Sequence, residues 1–209
     1  MGALYGIAIT SFVEPPYVPL DAVAAGTHEG AFIRATGVVT ELRVTEYGTV
    51  LMISGNNTEL PVFVAHTDAA EPLNYGDEIE VQGRVQVYNG RYELVSAGNI
   101  IKKAFSDNTS FVSQIAVRPE VYEGRRVRIV GYAGDVYTHV FYLCDASGNY
   151  CMRVMIGDAL LSAVHKGDKI IAEGVFVYNP ENMRYELNLL ALRAIEDVLD
   201  EQKKDRGVI

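Results

Sequence analysis

The side chains able to do chemistry in this 209-residue chain are few. Its four histidines, His28, His66, His139 and His165, are scattered, with no H-x-x-x-H or carboxylate spacing that would gather them on a metal. Two cysteines, Cys144 and Cys151, are too few for a four-cysteine zinc site or a disulfide-dense scaffold. The sequence has no glycine-rich phosphate loop, no nucleophile elbow and no pair of carboxylates spaced for acid–base work. It therefore offers no catalytic residue, no metal ligand set and no cofactor site, and leaves binding as the chemistry to look for. The combination it does offer is tyrosine beside arginine, in which a flat ring stacks on another ring while a guanidinium neutralises a nearby anion. Residues of this kind gather in the second half: Arg126, Arg128, Tyr137, His139, Tyr142, Arg153 and Tyr178.

Charge narrows where such a face can lie. The chain carries 27 acids against 18 bases, a net −9, which counts against indiscriminate polyanion binding because that affinity comes from Lys and Arg displacing counterions. The deficit is uneven: residues 30–103 hold nine acids and six bases, residues 118–196 ten and nine. The second half is nearly neutral, and five of its bases are Arg118, Arg125, Arg126, Arg128 and Arg153. With 49% apolar and 22% charged residues the composition is globular, so either half can bury a core.

The elements that would position these residues come from an internal repeat. Residues 30–37 (GAFIRATG) match 124–131 (GRRVRIVG) at a spacing of 94, and Gly76-Asp77 with Gly83 matches Gly167-Asp168 with Gly174 at 91. The tetrapeptide Arg91-Tyr92-Glu93-Leu94 recurs as Arg184-Tyr185-Glu186-Leu187 at 93. Each unit alternates apolar and polar residues between turn residues. Unit one predicts strands at 32–44, 48–54, 59–65, 77–88 and 91–97, with a helical piece at 67–74; Asn89-Gly90 suits a type I′ hairpin that sets Tyr88 opposite Arg91. Unit two predicts strands near 125–135, 138–144, 150–156, 168–178 and 184–191, with a helical turn at 158–165. The fold class is all-β: two tandem five-stranded Greek-key barrels of the OB type. The expected divisions are an N-terminal segment 1–27, a first barrel 28–103, a linker 104–117, a second barrel 118–196 and a tail 197–209.

Each unit resembles the OB domains of replication protein A and of archaeal single-stranded-DNA-binding proteins. The matching stretches are 127–131 (VRIVG), 141–148 (FYLCDASG) and 167–170 (GDKI) through Gly174. These motifs build the barrel wherever it is used, so they are specific for the fold and weak for the ligand. The resemblance implies a non-catalytic module whose partner is single-stranded DNA or RNA, held on strands 2 and 3 and the 1–2 and 4–5 loops.

Period-two alternation then assigns faces. Centring the hairpin of unit two between Ser147 and Gly148 pairs Cys144 with Cys151, Tyr142 with Arg153 and Val140 with Met155. The facing cysteines are either a cross-strand disulfide or two reduced thiols. The same construction shifted by 90 pairs Ser54 with Pro61, Met52 with Phe63 and Val50 with Ala65. Unit one thus presents Val50, Met52 and Phe63, an apolar strip suited to a protein or inter-domain contact. A half-buried packing role competes with stacking for each tyrosine. For Arg126 and Arg128 the alternative is a solvated strand face paired with Glu120, Glu123 or Asp135.

Residues 1–12 are almost wholly apolar but lack the basic n-region of a signal peptide and the length of a membrane span. One reading is a soluble, cytoplasmic chain. The other is that 1–27 holds the remnant of a membrane anchor with the barrels outside the cytoplasm, the chain then serving as an acidic protein-interaction scaffold that does not bind nucleic acid. Oligosaccharide is disfavoured as a ligand because the chain has no Trp, the commonest sugar platform.

Overall fold

The computed structural model describes residues 14–65, 72–106, 108–156 and 164–195. The expected helical pieces at 67–74 and 158–165, the apolar start and the tail lie wholly or largely outside the described residues. In chain order the elements are α1 (Leu20–Ala24), β1 (Phe32–Thr45), β2 (Gly48–Gly55), β3 (Thr58–Ala65), β4 (Glu78–Tyr88), β5 (Arg91–Ser96), β6 (Ile100–Ala104) and β7 (Thr109–Phe111). Then follow α2 (Val112–Val117), α3 (Pro119–Tyr122), β8 (Arg126–Tyr137), β9 (Val140–Cys144), β10 (Cys151–Met155), β11 (Lys169–Asn179) and β12 (Arg184–Ala194).

Strand order is β1-β2-β3-β5-β4-β6 in the first sheet, and β4 pairs back with β1 to close a barrel of the first five. The second sheet repeats it as β8-β9-β10-β12-β11, closed by β11 on β8. In each, the third and fifth strands run parallel and the other barrel pairs antiparallel. This is the five-stranded OB topology in both copies. Alternation builds the cores: Ile33, Ala35 and Val39 of β1 face Ile79, Val81 and Val85 of β4 inside the first barrel, and Phe141, Leu143, Met152 and Val154 fill the second.

Packing carries each unit upstream of the repeat read from sequence. Leu20 and Val23 of α1 are buried in the first core, and Val112 and Ile115 of α2 in the second. Tyr17 bridges Arg34 in parallel just as Thr109 bridges Arg128, so the stretch read as a linker carries β7 and α2, the counterparts of residues 17–24.

The hairpin registers come out as expected in unit two and shifted in unit one. Cys144 pairs with Cys151, Tyr142 with Arg153 and Val140 with Met155, and Tyr88 pairs with Arg91. In the first barrel, however, Met52 pairs with Pro61 and Val50 with Phe63. The reason is loop length. Asn56 and Asn57 both take positive φ (49° and 59°), making a two-residue turn, whereas unit two uses six residues, 145–150. A fixed offset between units misses that indel. The error is an even number of residues, so the side-chain faces survive it and only the partners change.

The barrels meet through the outer side of β8 and β11. Val130 and Ile171 join the buried cluster of the first barrel, with Phe111 between them and Tyr75. Beside them Tyr132 donates a hydrogen bond to the Glu41 carboxylate, and Lys169 reaches Glu41 and the carbonyl of Thr40. The Lys169 ammonium also lies 5.3 Å from the Tyr75 ring centroid and 5.4 Å from that of Tyr132. Burial and the hydrogen bond to Glu41 push the Tyr132 phenol above its usual range. Because Glu41 and Lys169 are partly exposed, Glu41→Ala should cost about 1–2 kcal/mol, measured by urea unfolding. The pH sign follows from the raised phenol. The folded chain holds the Tyr132 proton when the unfolded one has lost it, so this contribution is present below about pH 10 and lost as pH rises beyond it. A urea midpoint unmoved by Glu41→Ala would show that this contact does not stabilise the fold.

Candidate functional site

The outer face of β9 and β10 is a ladder of cross-strand rows. Tyr142 lies opposite Arg153, which lies beside Glu186 of β12, and Glu186 in turn faces Val177 of β11. Glu186 is buried, yet it accepts from three donors: Arg153 Nη1 at 3.4 Å, Arg184 Nε at 2.7 Å and Asn179 Nδ2 at 3.0 Å. Two guanidiniums share one carboxylate, so this cluster keeps a net positive charge beside the half-buried Tyr142 ring. Sequence alone does not single out Arg184 and Glu186, although both belong to the repeated tetrapeptide. What was missing is that barrel closure sets β12 next to β10.

At one end of this face Tyr137, 56% exposed, pairs with Val140, and His139 is exposed in the adjoining turn. At the other end Cys144 and Cys151 form a disulfide with Cα atoms 4.0 Å apart. The disulfide alternative, not the paired free thiols, is the one realised.

Three expected site residues lie elsewhere. Arg126 and Arg128 sit on the part of β8 that pairs with β11, and both reach Glu173, Arg126 at 2.5 Å and Arg128 at 3.9 Å. Their shared acid is thus Glu173, across the sheet, rather than Glu120, Glu123 or Asp135. Tyr178 follows Phe176 by two residues and so shares its inward side of β11, where it meets Tyr185 edge-on at 5.1 Å; Tyr185 stacks on Phe176 at 5.2 Å. This aromatic stack extends the second core toward solvent and does not share a face with Tyr142.

In the first barrel the positions of Tyr142 and Arg153 are taken by Met52 and Pro61, since Val62, the residue after Pro61, pairs with Leu94 as Val154, the residue after Arg153, pairs with Leu187. Val50 and Phe63 form the next row, and its continuation on β1 is Arg43. The strip is therefore less apolar than its sequence suggests. A bulge between Val39 and Glu41 switches the alternation of β1, so Leu42 is buried and Arg43 is turned outward.

No protein-family model matches the chain, and no curated protein does. Solved structures align with it weakly. The OB domain of a Methanosarcina mazei protein covers 46% of this chain and 88% of its own at 15% identity, with a TM-score of 0.38. The barrel order decides the fold. The chain is a tandem OB fold. Fission yeast Pot1, solved with single-stranded DNA, aligns with 98% of this chain and 96% of its own at 10% identity and a TM-score of 0.32. Asparaginyl-tRNA synthetase from Pyrococcus horikoshii shares 18% identity over 44% of this chain, with a TM-score of 0.37, and this tandem OB fold spans only 24% of the synthetase. Likenesses of this size carry no weight for function.

Proposed function

We propose that the chain is a non-catalytic binding module that takes single-stranded DNA or RNA on the β9–β10 face of the second barrel. The observation that carries the reading is the surplus positive charge of Arg153 and Arg184 over Glu186, set beside Tyr142 on that face. A stacked base needs a ring, and its phosphate needs a cation close by. Tyr137 and His139 continue the surface toward the β8–β9 turn, while Arg126 and Arg128 supply longer-range positive charge to which Glu173 answers.

The test separates the two components. Tyr142→Ala should cost ~1–3 kcal/mol of oligonucleotide affinity with the salt slope nearly unchanged, because stacking releases no counterions. Arg153→Ala should flatten the slope of log K against log salt by about 0.7, the share of one single-strand phosphate contact. Equal slopes in wild type and Arg153→Ala would remove that residue from the interface.

A second reading, an acidic protein-interaction scaffold, draws on the net charge of −9 and on the disulfide. Disulfides persist in oxidising compartments, which favours a place outside the cytoplasm over the cytoplasmic one expected from sequence. Among the described residues no helix is long and apolar enough to cross a membrane.

A further inference from the structure

We infer that the cleft between the two barrels is a second anchor for the same single strand, gripping one base and its phosphate; this rests on the nucleic-acid reading above. The cleft has a volume of about 230 Å³ and is lined by Glu41, Arg43, Val50 and Met52 of the first barrel and by Ala146 and Ser147 of the second. Pockets that enclose a whole small ligand run to ~300–1,000 Å³, so this one suits a single flat group of a longer chain.

Its chemistry selects that group. Arg43 is exposed and makes no ion pair among the described residues, whereas Arg153 and Arg126 are each held by a carboxylate. The one acid in the lining, Glu41, is occupied by Tyr132 and Lys169, so it does not cancel the Arg43 charge. Val50 and Met52 give an apolar surface for a ring. Phe63, paired with Val50, and Tyr47, 70% exposed in the neighbouring turn, extend it with aromatic groups.

The far wall is built to stay in place. Residues 145–150 leave from β9 and β10, the strands that carry Tyr142 and Arg153, and the Cys144–Cys151 disulfide closes their base. Asp145 turns inward to accept from the Ser147 hydroxyl at 2.7 Å and the Tyr150 N–H at 3.2 Å, so its charge is spent within the loop. A strand stacked on Tyr142 has a short path past the disulfide to this wall.

Fluorescence anisotropy with labelled oligothymidylates of about 5 and about 20 nucleotides tests the inference, since one OB barrel covers ~4–16 nucleotides. In the full chain, Arg43→Ala and the cleft-filling Ser147→Trp should each weaken the longer probe about tenfold, the size of a lost charged contact, and leave the shorter one unchanged. Tyr142→Ala should weaken both. If Arg43→Ala and Ser147→Trp bind the longer probe like wild type while Tyr142→Ala does not, the cleft is no anchor and the β9–β10 reading stands. If Arg43→Ala weakens both probes equally, the cleft is not a separate site. If wild type binds neither probe, both readings fall together.

Discussion

Alanine at Gly174 should cost the second barrel about 3 kcal/mol or more, the upper range for forcing extra volume into a packed strand. A Cβ there would lie 2.3 Å from the carbonyl oxygen of Asn188 and 2.9 Å from its carbon, with Leu187 Cγ at 3.0 Å. The obstacle is backbone, so no side-chain rotation relieves it. Gly83 is the repeat counterpart in the first barrel, with a Cβ 2.4 Å from the carbonyl oxygen of Val95, and Gly83→Ala should behave alike. Both glycines stand where the fourth strand curls against the fifth, and in the second barrel the register slips by a residue between Glu173 and Gly174. Gly148 provides the control. It has φ of +71° and open space around it, so alanine there should cost only about 1 kcal/mol of backbone strain. Thermal unfolding of the three variants measures this, and a loss at Gly174 no larger than at Gly148 would contradict the packing argument.

A loss of about 3 kcal/mol is expected at Asp77 for an electrostatic reason. The residue is fully buried, and its carboxylate accepts from the backbone N–H of Asn74 at 2.8 Å and of Ser106 at 3.0 Å, from the Ser106 hydroxyl at 3.0 Å, and from Lys102 at 3.1 Å. Burial alone would raise its pKa, but these donors outweigh it and hold the carboxyl below the usual range. The carboxylate ties β4 to β6 and to the chain leaving β6, and Asp77→Ala would leave two N–H groups without their acceptor and the Lys102 ammonium with only the Pro72 carbonyl. The linkage sign follows from the lowered value: the stabilisation is present above the unfolded carboxylate range, near pH 4, and is lost as pH falls through the folded value. Urea unfolding at pH 7 and pH 3 should show wild type and Asp77→Ala converging at the lower pH. A constant gap would mean that the charge is not what stabilises the site.

The repeat and the period-two alternation made both barrels legible, because five strands of each unit carry their own pattern and punctuation. Gly-Asp before the fourth strand of each unit and Asn-Gly before the fifth strand of the first mark positions where the backbone conformation admits few residues. The added elements are not legible in the sequence for a physical reason. Residues 17–24, β7 and α2 are too short for periodicity to register, and their apolar residues matter only once they meet a barrel end. The site was half legible. Hairpin geometry paired Tyr142 with Arg153, because that contact is local. The acids that hold the arginines, Glu173 and Glu186, become neighbours only through barrel closure, and Tyr178 could be placed on its strand but not told apart from the core stack it joins. Arg43 was missed because one bulge reverses the alternation that would have buried it.

Single-strand binding is read out by titrating a labelled oligonucleotide of about 20–30 nucleotides, long enough for two OB barrels, with the wild-type chain at two salt concentrations. Saturable binding is expected at low salt and should weaken as salt rises, because phosphates held by guanidiniums release counterions. No binding at low salt, where even weak phosphate contacts are strongest, would contradict it and favour the protein-interaction scaffold.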